Sequence, residues 1–99
     1  MNILKLVLTD HWFEKIESGE KTHEYRQCTK HWASRIDKIF CKLPCMTGED
    51  WFVEFQKAYR KDAQKMMFRI SSIRIRNGKD TDLKIDDKVY DIGLGERIK

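Results

Sequence analysis

The chain is poor in the residues that divide a polypeptide. It has one proline, Pro44, and five glycines in 99 residues. No linker, low-complexity tract or internal repeat interrupts it, so a single domain spanning 1–99 is expected. There is no run of about 18 apolar residues, which excludes an ordinary hydrophobic transmembrane helix. The apolar stretch 2–8 is too short for the core of a secretory signal, and no small-residue cleavage site follows it. Cysteine is also scarce: Cys28, Cys41 and Cys45. An odd count without a signal points to free thiols in a reducing compartment, hence a cytoplasmic protein with no membrane partner. Cys41 and Cys45, with Cys28 or His31, form only a loose zinc spacing that contains Pro44. Neither a metal nor another cofactor is expected.

Hydrophobic residues make up 40% of the chain, aromatics 11% and charged residues 36%. A domain of this size buries roughly 60–70% of its unfolded surface, enough for a modest core. The net charge of +4 is uneven. Residues 1–50 hold 8 basic and 8 acidic side chains, and residues 51–99 hold 12 basic and 8 acidic. Lys57, Arg60, Lys61, Lys65, Arg69, Arg74, Arg76 and Lys79 are accompanied only by Asp62. Such a stretch is either a phosphate-facing surface or a solvated face balanced by the acidic Asp80–Asp91 segment.

Apolar spacing sets the expected elements. Ile3–Thr9 reads as a strand. Thr9 or Asp10 can cap a following helix, His11–Ser18, with Trp12, Phe13 and Ile16 on one face. Gly19 is a natural left-handed end to that helix. Lys21–Arg26 reads as a second strand, and Thr29–Ile36 as a short helix. Ile39–Cys41 reads as a short strand and 43–50 as a loop. Trp51–Gln56 alternates cleanly and should be a central strand. In Met66–Arg76 the apolar phase slips between Ile70 and Ile73, as a β-bulge at Ser71-Ser72 would cause. Asn77-Gly78 marks a turn. Val89–Leu94 is the last strand, ended by Gly95. The expected fold class is α+β: a small, curled, mostly antiparallel β-barrel flanked by two or three helices.

The densest chemistry lies just past Gly19. On an extended chain, side chains two apart share a face, so Thr22, Glu24 and Arg26 point one way and His23 and Tyr25 the other. Glu24 and Arg26 can pair, or can present an acceptor and a fork of donors to one ligand. Lys21 sits at the helix–strand junction. The same residues also fit a partly buried ion pair closing the barrel mouth. Trp12 fits the core of its helix, and His11, His23 and His31 fit a satisfied surface or acid–base work alike.

The pattern Trp12-Phe13-x-x-Ile16-x-x-Gly19-Glu20-Lys21-Thr22-x-Glu24-Tyr25-Arg26 resembles the signature of the ASCH domain (activating signal cointegrator homology). That domain belongs to the PUA-like superfamily. The likeness is to small stand-alone bacterial and phage members. It continues through His31-Trp32, through Phe55-x-x-x-Tyr59-x-Lys61-x-Ala63 and to Leu94-Gly95, sparing only 37–50. The resemblance implies a PUA-like barrel with a cleft lined by Lys21, Glu24 and Arg26. Tyr25, Trp32, Tyr59 and Lys61 join them as ligand-binding candidates. It also implies RNA or a nucleotide as partner.

Some members of that family are enzymes, so Lys21 and Glu24 are the catalytic candidates. One branch removes the acetyl group of N4-acetylcytidine with a lysine, a threonine three residues later and a distant glutamate. Lys21 matches the lysine, but Glu24 stands in the threonine's place, and Thr22 is adjacent to Lys21 instead of three residues on. Glu54 and Glu96 do not fall where that branch carries its acid. A carboxylate beside Lys21 would hold it as an ammonium, a good partner for phosphate or a base carbonyl and a poor nucleophile. A binding module is therefore the leading expectation. The alternatives are a nucleoside or RNA hydrolase (amidohydrolase or ribonuclease) and an accessory domain with a protein partner.

Overall fold

The computed structural model describes residues 2–42 and 51–99. The 43–50 loop expected from the sequence, with Pro44 and Cys45, lies outside the described residues, as does the Cys41 side chain. The chain runs β1 (Asn2–Leu8), α1 (Asp10–Glu17), β2 (His23–Gln27), α2 (Lys30–Lys42), β3 (Trp51–Lys57), β4 (Lys65–Asn77) and β5 (Lys88–Arg97). The five strands form one sheet in the order β1-β3-β4-β5-β2. β1 and β3 are parallel, which requires the long crossover through α1, β2 and α2. The other three ladders are antiparallel. The α+β class and the mostly antiparallel sheet agree with the sequence.

The curl comes from β4. Its pairing with β5 slips between Phe68 and Ile70 and again between Ile70 and Ser72. A bulge adds local twist and bends a strand, so β4 lies on two differently inclined parts of the sheet. Its inward set is Met66, Ile70 and Ile73, all buried, whereas Ile75 is 46% exposed and does not continue it. The sheet stops short of a closed barrel and forms a half-barrel. Its two edges, β1 and β2, approach closely enough for Arg26 Nη2 to donate to the Val7 carbonyl at 3.4 Å.

Both helices cover the concave face. α1 buries Phe13 and Ile16. Thr9 holds its N-cap position, but the hydroxyl makes no capping hydrogen bond; the Thr9 carbonyl accepts from Phe13 N at 3.0 Å instead. Gly19 has φ +84°, the left-handed geometry its position demanded. α2 is longer than the sequence suggested and absorbs the strand expected at Ile39–Cys41. Trp32, Ile36 and Ile39 continue one apolar stripe at helical spacing, and Ile36 and Ile39 are buried against the sheet. β3 is interior but not the middle strand; β4 holds that place. β5 runs through Gly95 to Arg97, because the long β4 keeps offering it a ladder as far as Phe68↔Arg97. Among the described residues no helix is long and apolar enough to cross a membrane.

No atom lies within 4 Å of where a Cβ on Gly19 would stand. Gly19→Ala therefore isolates backbone strain from steric clash. It should cost about 1–2 kcal/mol in a urea titration. An unchanged midpoint would mean that the turn relaxes freely.

Candidate functional site

The site occupies the gap the half-barrel leaves open. β2 is short, and its alternation sends Glu24 and Arg26 to the concave side and His23 and Tyr25 to the outer side. Gly19 reverses the chain, so that Lys21 N donates to the Lys15 carbonyl at 3.0 Å, and this brings the Lys21 side chain back toward Glu24. Glu24 is 4% exposed. Its Oε1 lies 3.1 Å from Lys21 Nζ and its Oε2 accepts from Arg26 Nη2 at 2.9 Å. Lys21 also pairs with Asp82, from the segment between β4 and β5. The result is an alternating row: Asp82, Lys21, Glu24, Arg26. Two cations face two carboxylates, so the row is neutral while still offering donors and acceptors.

Two indoles flank the row. Lys21 Nζ sits 4.3 Å from the ring centre of Trp12 and 5.6 Å from that of Tyr25. The Arg26 guanidinium sits 4.9 Å from the ring centre of Trp32. Each contact is worth about 0.5–2 kcal/mol, more where water is excluded. Arg26 Nε is buried and has no hydrogen-bond partner among the described residues.

Two cavities share this wall. One of about 360 Å³ lies between β1 and β2, lined by Leu8, Thr9, Trp12, Glu24, Arg26 and Trp32, with Leu83 and Ile85 closing it. A second, of about 570 Å³, lies on the other side of Trp12 and Tyr25. It is lined by His11, Lys15, Lys21, Thr22, His23 and Asp82, among others. His11 packs edge-on against Trp12 at 4.6 Å. Burial pushes the Tyr25 phenol above its ordinary range; the Asp91 charge adds to this and Arg76 opposes it.

The structure brings together Lys21, Glu24, Tyr25, Arg26 and Trp32 from the sequence-derived set. It leaves Tyr59 and Lys61 outside: both are exposed on the β3–β4 connection, Tyr59 at 88%, and neither lines either of these two cavities. Several cations of the basic stretch they head are already engaged. Arg60 pairs with Asp10, Arg76 with Asp91 and Lys79 with Asp86. Lys57 lies over Phe13, and Arg69 over Phe52. Trp12, assigned to the core from its helix, packs on the core and lines both cavities. Asp82, Leu83 and Ile85 were not picked out from the sequence; only the acidic character of their segment could have drawn attention to it. Among the described residues no three His, Cys, Asp or Glu side chains group as metal ligands. The Cys28 thiol is pushed up by burial, with Asp37 and Asp87 adding.

Removing one member of a buried ion set strands the others. Glu24→Ala should destabilise the fold by about 3 kcal/mol or more, read by urea denaturation. A loss below about 1 kcal/mol would mean that water readily replaces the carboxylate.

No family model matches the chain, and no curated protein matches it. Of the motif residues, Glu24 and Arg26 line the smaller cavity and Lys21 the larger, joined through the Lys21–Glu24 ion pair.

Proposed function

We propose that this protein is a PUA-like, ASCH-type module that binds RNA or a nucleotide in the cleft between β1 and β2. The observation that carries this reading is the convergence of Glu24 and Arg26 at a cavity walled by Trp12 and Trp32. A flat heterocycle fits between or against indole faces, and stacking on an aromatic ring is worth roughly 1–3 kcal/mol per base. Glu24 supplies acceptors and Arg26 a spare buried donor, the pair needed to read the edge of a base. Lys21, at the border of the second and more polar cavity, offers an ammonium to a phosphate or carbonyl. An anionic ligand would compete there with Asp82.

Arg26→Ala should weaken binding of the best ligand from a screen of nucleosides, nucleotides and short RNAs by roughly 1–3 kcal/mol, measured by calorimetry. RNA affinity should also fall as salt rises. Binding that is insensitive to Arg26→Ala would move the ligand out of this cleft.

One observation favours turnover at the same place. Asp82 reaches Lys21 from far along the chain, so the lysine has a distant acid at hand even though Glu24 replaces the threonine of the amidohydrolase branch. In that second reading Glu24 is the general base and Lys21 polarises a carbonyl. Incubation with N4-acetylcytidine and other acylated nucleosides separates the two. The binding reading expects no efficient release of acetate. Robust turnover that disappears in Lys21→Ala and in Glu24→Gln would replace it with the enzymatic one.

A further inference from the structure

The outer face of the sheet carries a second constellation, which borders the larger cavity through His23 and lies outside the β1–β2 cleft lined by Glu24 and Arg26. His23 Nδ1 lies 2.6 Å from Asp91 Oδ1. Asp91 is 6% exposed, and its Oδ2 takes a longer contact from Arg76 Nη1 at 3.5 Å. A buried carboxylate on Nδ1 fixes the ring and leaves Nε2 as the free nitrogen. The His23 ring stacks on Tyr25, 6.3 Å between centres at 13°, and its side chain is 45% exposed. The imidazole is thus held from two sides and open on a third.

What lies on that third side follows from register. Gly93 of β5 is opposite His23 of β2 on one flank and opposite Ser72 of β4 on the other. The three residues form a row across the sheet, with glycine in the middle. A Cβ on Gly93 would stand 2.5 Å from Ser72 Oγ, 3.0 Å from Ser71 Oγ and 3.6 Å from His23 Cε1. Two hydroxyls and the imidazole edge therefore border one small gap, which a single methyl group would overfill. Consecutive residues of a regular strand point to opposite faces. The β4 bulge breaks that alternation and brings both serine hydroxyls to this gap.

We propose that Ser72, His23 and Asp91 form a nucleophile, base and orienting acid for acyl transfer to or from a small ester or thioester at the outer face of the sheet. The Ser72 hydroxyl and the imidazole edge border the same gap at Gly93, and in this mechanism the hydroxyl rotates toward Nε2 when substrate binds. Ser72 Oγ attacks the acyl carbon while its proton passes to His23 Nε2. The bond from the acyl carbon to the leaving oxygen or sulfur then breaks, and the leaving group takes that proton. Water attacks the acyl-serine and gives a proton to Nε2, which returns it to Ser72 Oγ as the carboxylic acid departs. Asp91 accepts from Nδ1 throughout and stabilises the imidazolium. The Ser71 hydroxyl, at the same gap, supplies a donor for the developing oxyanion.

The test uses the intact protein with diisopropyl fluorophosphate and with p-nitrophenyl acetate. Intact-mass and peptide analysis should find one phosphoryl adduct, on Ser72, formed with loss of fluoride. Ser72→Ala should abolish it, and His23→Gln should slow both labelling and ester turnover by at least about 100-fold. Thermal melts of the two variants confirm that they fold, and Asp91→Asn, which keeps the side-chain shape, should also slow labelling and ester turnover. The proposal is overturned by the absence of a serine adduct, by an adduct on any other residue alone, or by labelling that folded His23→Gln leaves unchanged. None of these outcomes bears on nucleotide binding in the cleft.

Discussion

The buried carboxylate of Glu24 is the point on which the cleft depends. It lies where the two edge strands nearly meet, and a lone charge there would be expensive. Lys21 and Arg26 each take one of its oxygens. Those contacts also fix where the two cations stand, and hence which indole each one covers. With Glu24 in place, Trp12 and Trp32 become the walls of a cavity instead of faces free to collapse onto it. Buried ion sets of this kind add little net stability, since desolvation offsets most of the Coulomb attraction. Their use is positional: they hold donors and acceptors in one arrangement beside open space.

The unclosed sheet supplies that space. Had β1 and β2 paired, their backbone groups would have filled the gap and no concave mouth would remain. A long contact from Arg26 to the Val7 carbonyl spans the edges instead. The Asp80–Asp87 segment finishes the enclosure. Thr81 is buried with its hydroxyl on the Gly78 carbonyl, Asp82 pairs with Lys21, and Gln27 donates to Asp87 at 3.1 Å. The acidic segment thus pairs with Lys21 of the cleft and, through Asp86 and Lys79, with part of the basic stretch.

The period-two alternation of β2 divides the chemistry between two surfaces. Glu24 and Arg26 face inward to the cleft, while His23 and Tyr25 face outward across β5. The bulge in β4 that curls the sheet is also what brings Ser71 and Ser72 to the same side as His23. One irregularity therefore shapes the concave face and populates the convex one.

Much of this was legible along the chain. Helical spacing gave α1, Gly19 its end, alternation gave β3, and the phase slip near Ser71 gave the bulge, because each is a local consequence of side-chain direction and backbone freedom. The pairing of Glu24 with Arg26 followed from the same alternation. Errors arose where long-range packing decided. α2 extended through Ile39 because its apolar stripe had a sheet to lie on, and β5 extended past Gly95 because β4 continued beside it. Tyr59 and Lys61 matched a motif in sequence but stand on an exposed connection away from the cleft. Asp82 reaches Lys21, and Asp91 reaches His23, across 61 and 68 residues of chain. No local pattern encodes such partners, since the order of strands in the sheet decides which distant side chains become neighbours.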